Sequence, residues 1–325
     1  MRLVEKLAAL RAEIHKVIVG QSETVEQLCI AFMAGGHCLL EGVPGLAKTL
    51  MIRTLASALE LSFRRIQFTP DLMPSDIIGT EILEEDHAAG KRFFKFTEGP
   101  VFTNILLADE INRTPPKTQA ALLEAMQEFE VTYGGKTYAL PKPFFVLATQ
   151  NPIEQAGTYP LPEAQLDRFL LYVKMDYPSE QEELNVLMQT TGSRKPSVTQ
   201  VMTAAEILEV QSLVREVSIN EDLTMYVNHL VRATRPETTT VDFVKTWVGW
   251  GAGPRAGQAM ILTAKARALM NGRFAVVLDD LRAVAMPVLR HRVMMSFKAE
   301  AERITSDRLT EELLQKIAPP KRTLD

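Results

Sequence analysis

Hydrophobic positions along the chain follow two periods, one typical of helices and one typical of strands. Near the amino terminus, apolar residues recur at steps of four and three, as on one face of a helix: Leu3, Leu7, Leu10, Ile14 and Val17. Further helices are predicted at 23–33, 50–59 and 119–127. Apolar or alternating segments predict five strands, at 37–40, 62–68, 104–110, 144–149 and 169–174. Strands that alternate with helices in this way indicate an α/β fold.

Two other alternating segments predict β-hairpins. One covers residues 79–96 with its turn at 86–90, and the other covers 129–140 and turns at Gly134-Gly135. Between them, Thr114 is predicted to cap a helix that begins at Pro115.

The pattern changes after the fifth strand. Pro178 and Ser179 open a region of helices with few strand signals, in which Ser179/Glu182 and Thr203/Glu206 have the spacing of capping boxes. We therefore expect two domains, an α/β domain over residues 1–177 and an all-helical domain over 178–325.

Composition narrows the class of protein. The chain has 325 residues, 46% of them hydrophobic and 23% charged, as in ordinary globular proteins. Its net charge of −4 argues against a chain built chiefly to bind nucleic acid. Cys29 and Cys38 lie among apolar neighbours and are predicted to be buried thiols. Because no apolar run reaches the roughly 18 residues of a membrane span and no signal peptide is recognisable, we expect a cytoplasmic protein.

A candidate phosphate-binding loop follows the first strand, in the string Leu39-Leu-Glu-Gly-Val-Pro-Gly-Leu-Ala-Lys-Thr49. Gly42 and Gly45 allow sharp turns, and the helix that follows directs backbone N–H groups at an anion. Lys48 would reach the β- and γ-phosphates of a nucleotide, and the Thr49 hydroxyl would bind Mg²⁺. Ala47 stands where the usual pattern has glycine. Alanine disfavours positive φ but is otherwise the smallest change, so we expect an intact loop.

Acidic and amide side chains follow two of the later strands. Asp109 ends the third predicted strand, where it would face the Mg²⁺ held by Thr49, and Glu110 could orient the attacking water. Asn151 follows the fourth strand; it could contact the γ-phosphate, or it could only stabilise the turn before Pro152.

Taken together, these strings resemble the MoxR family of AAA+ ATPases over nearly the whole chain. The strings are Gly42–Thr49, Ala108-Asp-Glu-Ile-Asn-Arg113, Ala148-Thr-Gln-Asn-Pro152, Leu166-Asp-Arg-Phe169 and Gly253-Pro-Arg-Ala256. The resemblance implies a P-loop core with a five-stranded parallel sheet and a small helical lid. It also implies that strand 62–68 lies between the strand of the phosphate loop and the strand ending at Asp109, and that both hairpins face a ring pore.

The resemblance also assigns roles to individual residues. Segment 18–21, with Val19 and Gly20, would lie over the adenine. Asn151 corresponds to sensor 1, Arg255 to sensor 2 on the lid, and Arg168 to the arginine finger offered to a neighbouring subunit, while Arg113 is a weaker interface candidate. The expected nucleotide contacts are completed by Gly42, Val43, Pro44, Gly45, Leu46, Ala47, Lys48, Thr49, Leu50 and Asp109.

By this resemblance, the expected activity is Mg²⁺-dependent ATP hydrolysis by a homo-oligomeric ring, a hexamer. The catalytic residues would be Lys48, Glu110, Asn151, Arg168 and Arg255. Family members act as chaperone-like remodellers of protein complexes, often with a von Willebrand factor A-domain partner. The client protein is not encoded in any motif.

Three other functions stay open or are disfavoured. The motor subunit of a metal chelatase would share every motif. A nucleic-acid motor would need cations on the hairpins. Lys136 lies near the tip of the second hairpin, whereas Lys91 and Arg92 on the first are offset by three acids, Glu84, Glu85 and Asp86. A nucleotide-binding scaffold without hydrolysis is disfavoured because Glu110 is present.

Overall fold

The computed structural model describes residues 2–86, 91–153, 157–191 and 196–320. Its strands are β1 (His37–Gly42), β2 (Phe63–Gln67), β3 (Gly79–Asp86), β4 (Lys91–Glu98), β5 (Ile105–Asp109), β6 (Glu130–Tyr133), β7 (Lys136–Ala139), β8 (Phe145–Gln150), β9 (Phe169–Met175), β10 (Val248–Trp250) and β11 (Met294–Met295). Its helices are α1 (Arg2–His15), α2 (Ser22–Met33), α3 (Lys48–Ala58), α4 (Pro74–Ile78), α5 (Pro116–Glu128), α6 (Glu163–Leu166), α7 (Glu180–Thr190), α8 (Ala204–Glu216), α9 (Glu221–Ala233), α10 (Asp242–Trp247), α11 (Pro254–Met270), α12 (Leu278–Leu289), α13 (Phe297–Ala301) and α14 (Ser306–Lys316).

Five strands form one parallel sheet, in the order β2-β5-β8-β1-β9. The predicted α/β fold with a five-stranded parallel sheet is therefore confirmed. The expected place of strand 62–68 is wrong, because β8, not β2, separates β1 from β5. The physical reason is burial: β8 is buried along nearly its whole length, whereas β2 exposes Arg64, Arg65 and Gln67, which suits a sheet edge.

Both predicted hairpins are antiparallel strand pairs. β3 pairs with β4 from Gly79↔Glu98 to Asp86↔Lys91. Of the turn predicted at 86–90, residues 87–90 lie outside the described part of the chain. β6 pairs with β7 around Gly134 and Gly135, which both have positive φ. The hairpins pack on each other, since the Phe96 ring stacks on Tyr138 at 4.2 Å between centroids.

The helix after β5 begins differently from the prediction. α5 starts at Pro116, with Pro115 as its N-terminal flanking residue. Thr114 does not cap it, because its buried hydroxyl donates instead to the Thr69 carbonyl at 2.9 Å. The threonine therefore fastens the turn after β5 to the loop after β2.

The helices after residue 196 cover one face of the sheet together with α1 and α2. A single apolar cluster joins residues of α1, α2, α3 and β1 to residues of α8, α9, α11, α12 and α14. A second cluster lies on the other face, under α5 and the shorter hairpin. The domain boundary after residue 177 stays a prediction. Within the described ranges, no helix combines the length and hydrophobicity needed to cross a membrane.

Candidate nucleotide site

The loop between β1 and α3 has the backbone of a phosphate-binding turn. Gly45 has φ +90° and Ala47 has φ +59°, both in the left-handed region. Ala47 therefore adopts a conformation that alanine was expected to avoid. Among the described residues no side chain caps α3, and its first turn has no acid, so its first N–H groups stay open to an anion.

Lys48 lies between this loop and two carboxylates. Its Nζ donates to the Gly42 carbonyl at 2.7 Å. Burial lowers the pKa of Lys48, and the nearby charges of Asp109 and Glu110 oppose that change. The structure thus brings Lys48 near the acidic pair Asp109 and Glu110, which lies some 60 positions later in the sequence.

Asp109 is held by groups from the two neighbouring strands. Its Oδ1 accepts from the Thr149 hydroxyl at 2.6 Å, and its Oδ2 accepts from Arg65 Nη2 at 2.7 Å. Thr149 Oγ1 also accepts from the Glu110 backbone N–H at 2.9 Å. One hydroxyl therefore fixes both acidic residues at the carboxyl end of β5.

Glu110 has two partners that restrain its carboxylate. Its Oε2 accepts from Gln67 Nε2 at 2.7 Å and from Arg113 Nη1 at 2.9 Å. Arg113, the weaker interface candidate of the sequence, here forms an ion pair with a catalytic candidate of its own chain. The backbone of Glu110 has φ +58°, a strained conformation of the kind that occurs at functional sites.

Sequence reasoning missed Arg65, Gln67 and Thr149. Each lies near the carboxyl end of a strand beside β5, where ligand-binding residues of parallel sheets collect. Polar residues at the ends of predicted strands were a signal, but it becomes useful only once the neighbours of β5 are known.

Asn151 lies one residue beyond β8, and the strand register pairs Gln150 with Glu41, directly before the phosphate loop. The asparagine is buried, and its Oδ1 accepts from the Ile153 backbone N–H at 3.1 Å. It stabilises the turn, as one reading of the sequence held, and it also lies at the edge of the sheet that carries the phosphate loop.

The segment with Val19 and Gly20 lies near the same edge. Gln21 Nε2 donates to the carbonyl of Asp176, which directly follows β9, at 2.8 Å. A Cβ placed on Gly20 would be 2.8 Å from Glu182 Oε1 in α7. Beside this contact is an open cleft of about 470 Å³, lined in part by Gln21, Glu182 and Tyr177. Gln21, which lines this cleft, belongs to segment 18–21, which was expected to lie over the adenine.

Arg168 and Arg255 lie elsewhere. β9 runs parallel to β1, with Phe169 paired to His37 at their start and Met175 paired to Gly42 at their end. Six residue steps of a strand span about 20 Å. Arg168 therefore lies at the amino end of the parallel strands, and the phosphate loop lies at their carboxyl end. Arg168 Nη1 donates to the Leu123 carbonyl of α5 at 2.8 Å.

Asp167 connects the α/β part of the chain to the helical part, at the amino ends of the parallel strands. Its Oδ1 is 2.8 Å from Arg292 Nε, and its Oδ2 is 3.3 Å from Arg255 Nη1. Arg255 is therefore held beside Arg168 and not beside its own phosphate loop. The ion pairs of Asp167 could not be found from the sequence, because 88 positions separate it from Arg255 and 125 from Arg292.

Known proteins share both the sequence and the fold. The model of the ATPase family associated with various cellular activities (AAA) matches residues 37–171, and that of an AAA lid domain matches 243–313. Chaperone MoxR1 of Mycobacterium tuberculosis is 44% identical over 310 residues, which cover 95% of this chain and 81% of that protein. Protein MoxR of Methylorubrum extorquens is 30% identical, over 89% of this chain and 87% of that protein. A crystal structure from Cytophaga hutchinsonii matches with TM-score 0.90 at 44% identity, over 98% of this chain and 96% of that chain.

Proposed function

Because this chain belongs to the MoxR family of AAA+ ATPases, we propose that it couples Mg²⁺-dependent ATP hydrolysis to the remodelling of other proteins, as a ring of identical subunits. ATPase activity itself follows from the family and from its chaperone relatives. One observation carries the proposal. The phosphate loop, Lys48, Asp109 and Glu110 converge at one edge of the parallel sheet.

The roles proposed for these residues follow from charge and position. Lys48 and the N–H groups at the start of α3 stabilise the charge of the β- and γ-phosphates. Thr49 and Asp109 supply oxygen ligands for Mg²⁺, which takes its remaining ligands from phosphates and water, so no larger acidic cluster is needed. When bound, the metal ion neutralises phosphate charge. Glu110 orients the attacking water, and Asn151 lies where it can contact the γ-phosphate or that water.

A ring is supported by the position of the two arginines. Arg168 lies one strand length, about 20 Å, from its own phosphate loop, a distance that no arginine side chain spans, and Asp167 holds Arg255 beside it. The charge that they would provide to the γ-phosphate must then come from a neighbouring subunit. An interface that joins two different surfaces of identical chains closes into a ring when the rotation allows it.

The remodelling role and its partners are proposed from the relatives. Chaperone MoxR1 is named as a chaperone, and we extend that role to this chain, with a von Willebrand factor A-domain protein as the partner that presents the client. A chelatase motor remains an alternative, which a chelatase partner would identify. A nucleic-acid motor is disfavoured further, since Arg92 pairs with Glu85 and Lys95 with Glu84 on the longer hairpin.

The first experiment separates binding from chemistry. Lys48→Ala should abolish tight ATP binding because the phosphate-facing ammonium is lost. Glu110→Gln should bind ATP while turnover falls by about 10²-fold or more, as when a general base is lost. Fluorescent nucleotide binding and phosphate release measure the two effects, with Glu124→Gln on the exposed side of α5 as the matched control. Normal turnover by Glu110→Gln would refute its assignment.

The second experiment tests whether the arginines act across the interface. Arg168→Ala and Arg255→Ala should each bind ATP and hydrolyse it poorly. For Arg168, the proposed arginine finger, turnover should fall by about 10³-fold. Mixed with Lys48→Ala chains, they should regain activity, because the Lys48→Ala subunit lends intact arginines to its neighbour's complete pocket. Arg232→Ala, at an exposed position of α9, is the matched control. Mixed rings seen by native mass spectrometry without recovered activity would contradict action in trans.

A further inference from the structure

A patch of exposed aromatic and sulfur side chains lies on the helical part of the chain. Trp250 is 64% exposed, Phe297 is 86% exposed and Met294 is 37% exposed. Trp250 and Met294 are cross-strand partners in the small sheet of β10 and β11, and Phe297 begins α13 three residues after Met294. We call Trp250, Met294 and Phe297 the aromatic patch. Large exposed side chains grouped in this way are typical of protein contacts.

The aromatic patch adjoins the arginine edge of the molecule. Arg292, which binds Asp167 at 2.8 Å, is two residues before Met294. Arg255, which also binds Asp167, is five residues after Trp250. Two short stretches of chain thus lead from the patch to one aspartate, and that aspartate directly precedes Arg168.

A second exposed apolar surface lies on α7, near the carboxyl ends of the parallel strands and the phosphate loop. No residue of α7, all of which the structure describes, is buried. Leu184, Leu187 and Met188 follow the spacing of one helix face, and the last two are 60% and 71% exposed. We call these three residues the α7 stripe. α7 starts beside Gly20, at the edge of the sheet that carries the phosphate loop.

We propose that the aromatic patch of one subunit packs against the α7 stripe of the next. The inference rests on the proposed ring and names a contact within it. Each arginine belongs beside a neighbour's phosphate loop, so the surface next to the arginines must meet the surface next to that loop. The aromatic patch and the α7 stripe are apolar and lie on those two surfaces.

Charge favours the same pairing. α7 has acids at Glu180, Glu182 and Glu183 in its first turn and no basic residue. Around the aromatic patch, the exposed cations Lys298 and Arg303 are balanced by the exposed acids Glu300 and Glu302. Arg255 and Arg292 share the one carboxylate of Asp167, so the charge beside the patch is positive by about one unit. Two aromatic patches facing each other would not bring opposite charges together, and neither would two copies of α7. A second copy in head-to-tail arrangement is therefore the occupant that fits.

Cross-linking tests the contact directly. Chains that carry both Phe297→Cys and Leu187→Cys should form a ladder of covalent oligomers with a short bis-maleimide, because each interface joins one introduced thiol to the other. Cys29 and Cys38 are buried, and burial raises the pKa of both thiols, so they react poorly. The matched control is Phe274→Cys with Leu187→Cys, since Phe274 is also exposed, at 58%, but lies elsewhere. Phe297→Cys alone should give no dimers.

A charge substitution gives the functional readout. Phe297→Glu should raise the protein concentration needed for half-maximal ATPase activity by about 30-fold or more, the effect of losing an interface hot spot. Trp250→Glu should act in the same way. Because both side chains are exposed, thermal unfolding of the isolated subunits should be unchanged. Phe274→Glu is the control and should leave assembly as it is.

The outcomes separate this contact from the ring. Rings that form, with recovered activity in the mixing experiment but no Phe297–Leu187 ladder, would overturn the contact and keep the ring. Dimers of Phe297→Cys alone would show that the patch meets itself. Loss of binding to a partner protein by Phe297→Glu, with assembly unchanged, would assign the patch to that partner instead. A strictly monomeric chain would refute both proposals.

Discussion

Replacing Ala47 by glycine should stabilise the free protein. Ala47 has φ +59° and ψ 26°, the left-handed conformation. That conformation costs an L-residue about 1–2 kcal/mol. Glycine removes this cost, but the unfolded chain gains freedom that is worth about 0.4–1 kcal/mol. The free energy of unfolding should therefore rise by about 0.5–1 kcal/mol.

The same substitution in an ordinary helix should have the opposite sign. Ala120 is exposed in the interior of α5, where glycine costs about 1 kcal/mol relative to alanine. Ala47→Gly and Ala120→Gly should therefore differ by about 1.5–2 kcal/mol, although both remove one methyl group. The pair separates backbone conformation from side-chain loss.

Urea unfolding without nucleotide, followed by circular dichroism, measures both variants. With a slope of about 2 kcal/mol per molar urea, Ala47→Gly should move the midpoint up by about 0.3–0.5 M at unchanged slope. Fluorescence is less suitable, because both tryptophans lie in the helical part, at Trp247 and Trp250. A midpoint lowered as much as that of Ala120→Gly would refute the left-handed conformation of Ala47 in solution.

Two further predictions concern buried ionisable groups. Burial lowers the pKa of His37 to about 4, so its folded form stays neutral while the unfolded form binds a proton below pH 6.5. By linkage, His37 should have almost no effect on the free energy of unfolding above pH 7. Between pH 7.5 and pH 5 it should lower that free energy by about 2 kcal/mol. His37→Gln should remove that part of the pH dependence of the unfolding free energy, as measured with urea. A pH dependence equal to that of the unsubstituted protein would contradict the lowered pKa of His37. Asp280 is fully buried and binds Arg267 at 2.8 Å and Arg273 at 2.6 Å. Asp280→Asn should destabilise the helical part by about 3–5 kcal/mol, because both guanidinium groups lose a fully buried charge partner, although Arg267 keeps Glu26 at 3.3 Å. Tryptophan fluorescence should report the earlier unfolding. A shift below 1 kcal/mol would show that water replaces the partner.

Local patterns in the sequence determined most of the elements. The helical period of α1, the apolar run of β1 and the two hairpins are recognisable because side-chain periodicity and turn residues act within a few positions. The phosphate loop is equally local, since strand, turn and helix start follow one another directly. Asp109 and Glu110 were found in the same way, from the strand that precedes them.

Only the tertiary structure decided how these pieces meet. The sequence gives no direct signal that β8 lies between β1 and β5, so Thr149 as the residue that fixes both acids was not predicted. Gln67 and Arg65 were missed for the same reason. Strand order depends on which faces of the whole sheet are covered, and that is a property of long-range packing.

The position of the arginines shows the same limit. A motif identified Arg168 and Arg255 as candidates, but whether they serve their own site depends on the direction of β9 and on where the helical part packs. Parallel pairing with β1 puts Arg168 at the start of the strand and the phosphate loop at the opposite end. Asp167 then holds Arg255 at that same starting edge. The sequence therefore determined which residues are available for phosphoryl chemistry, and tertiary packing decided that the two arginines face away from their own loop.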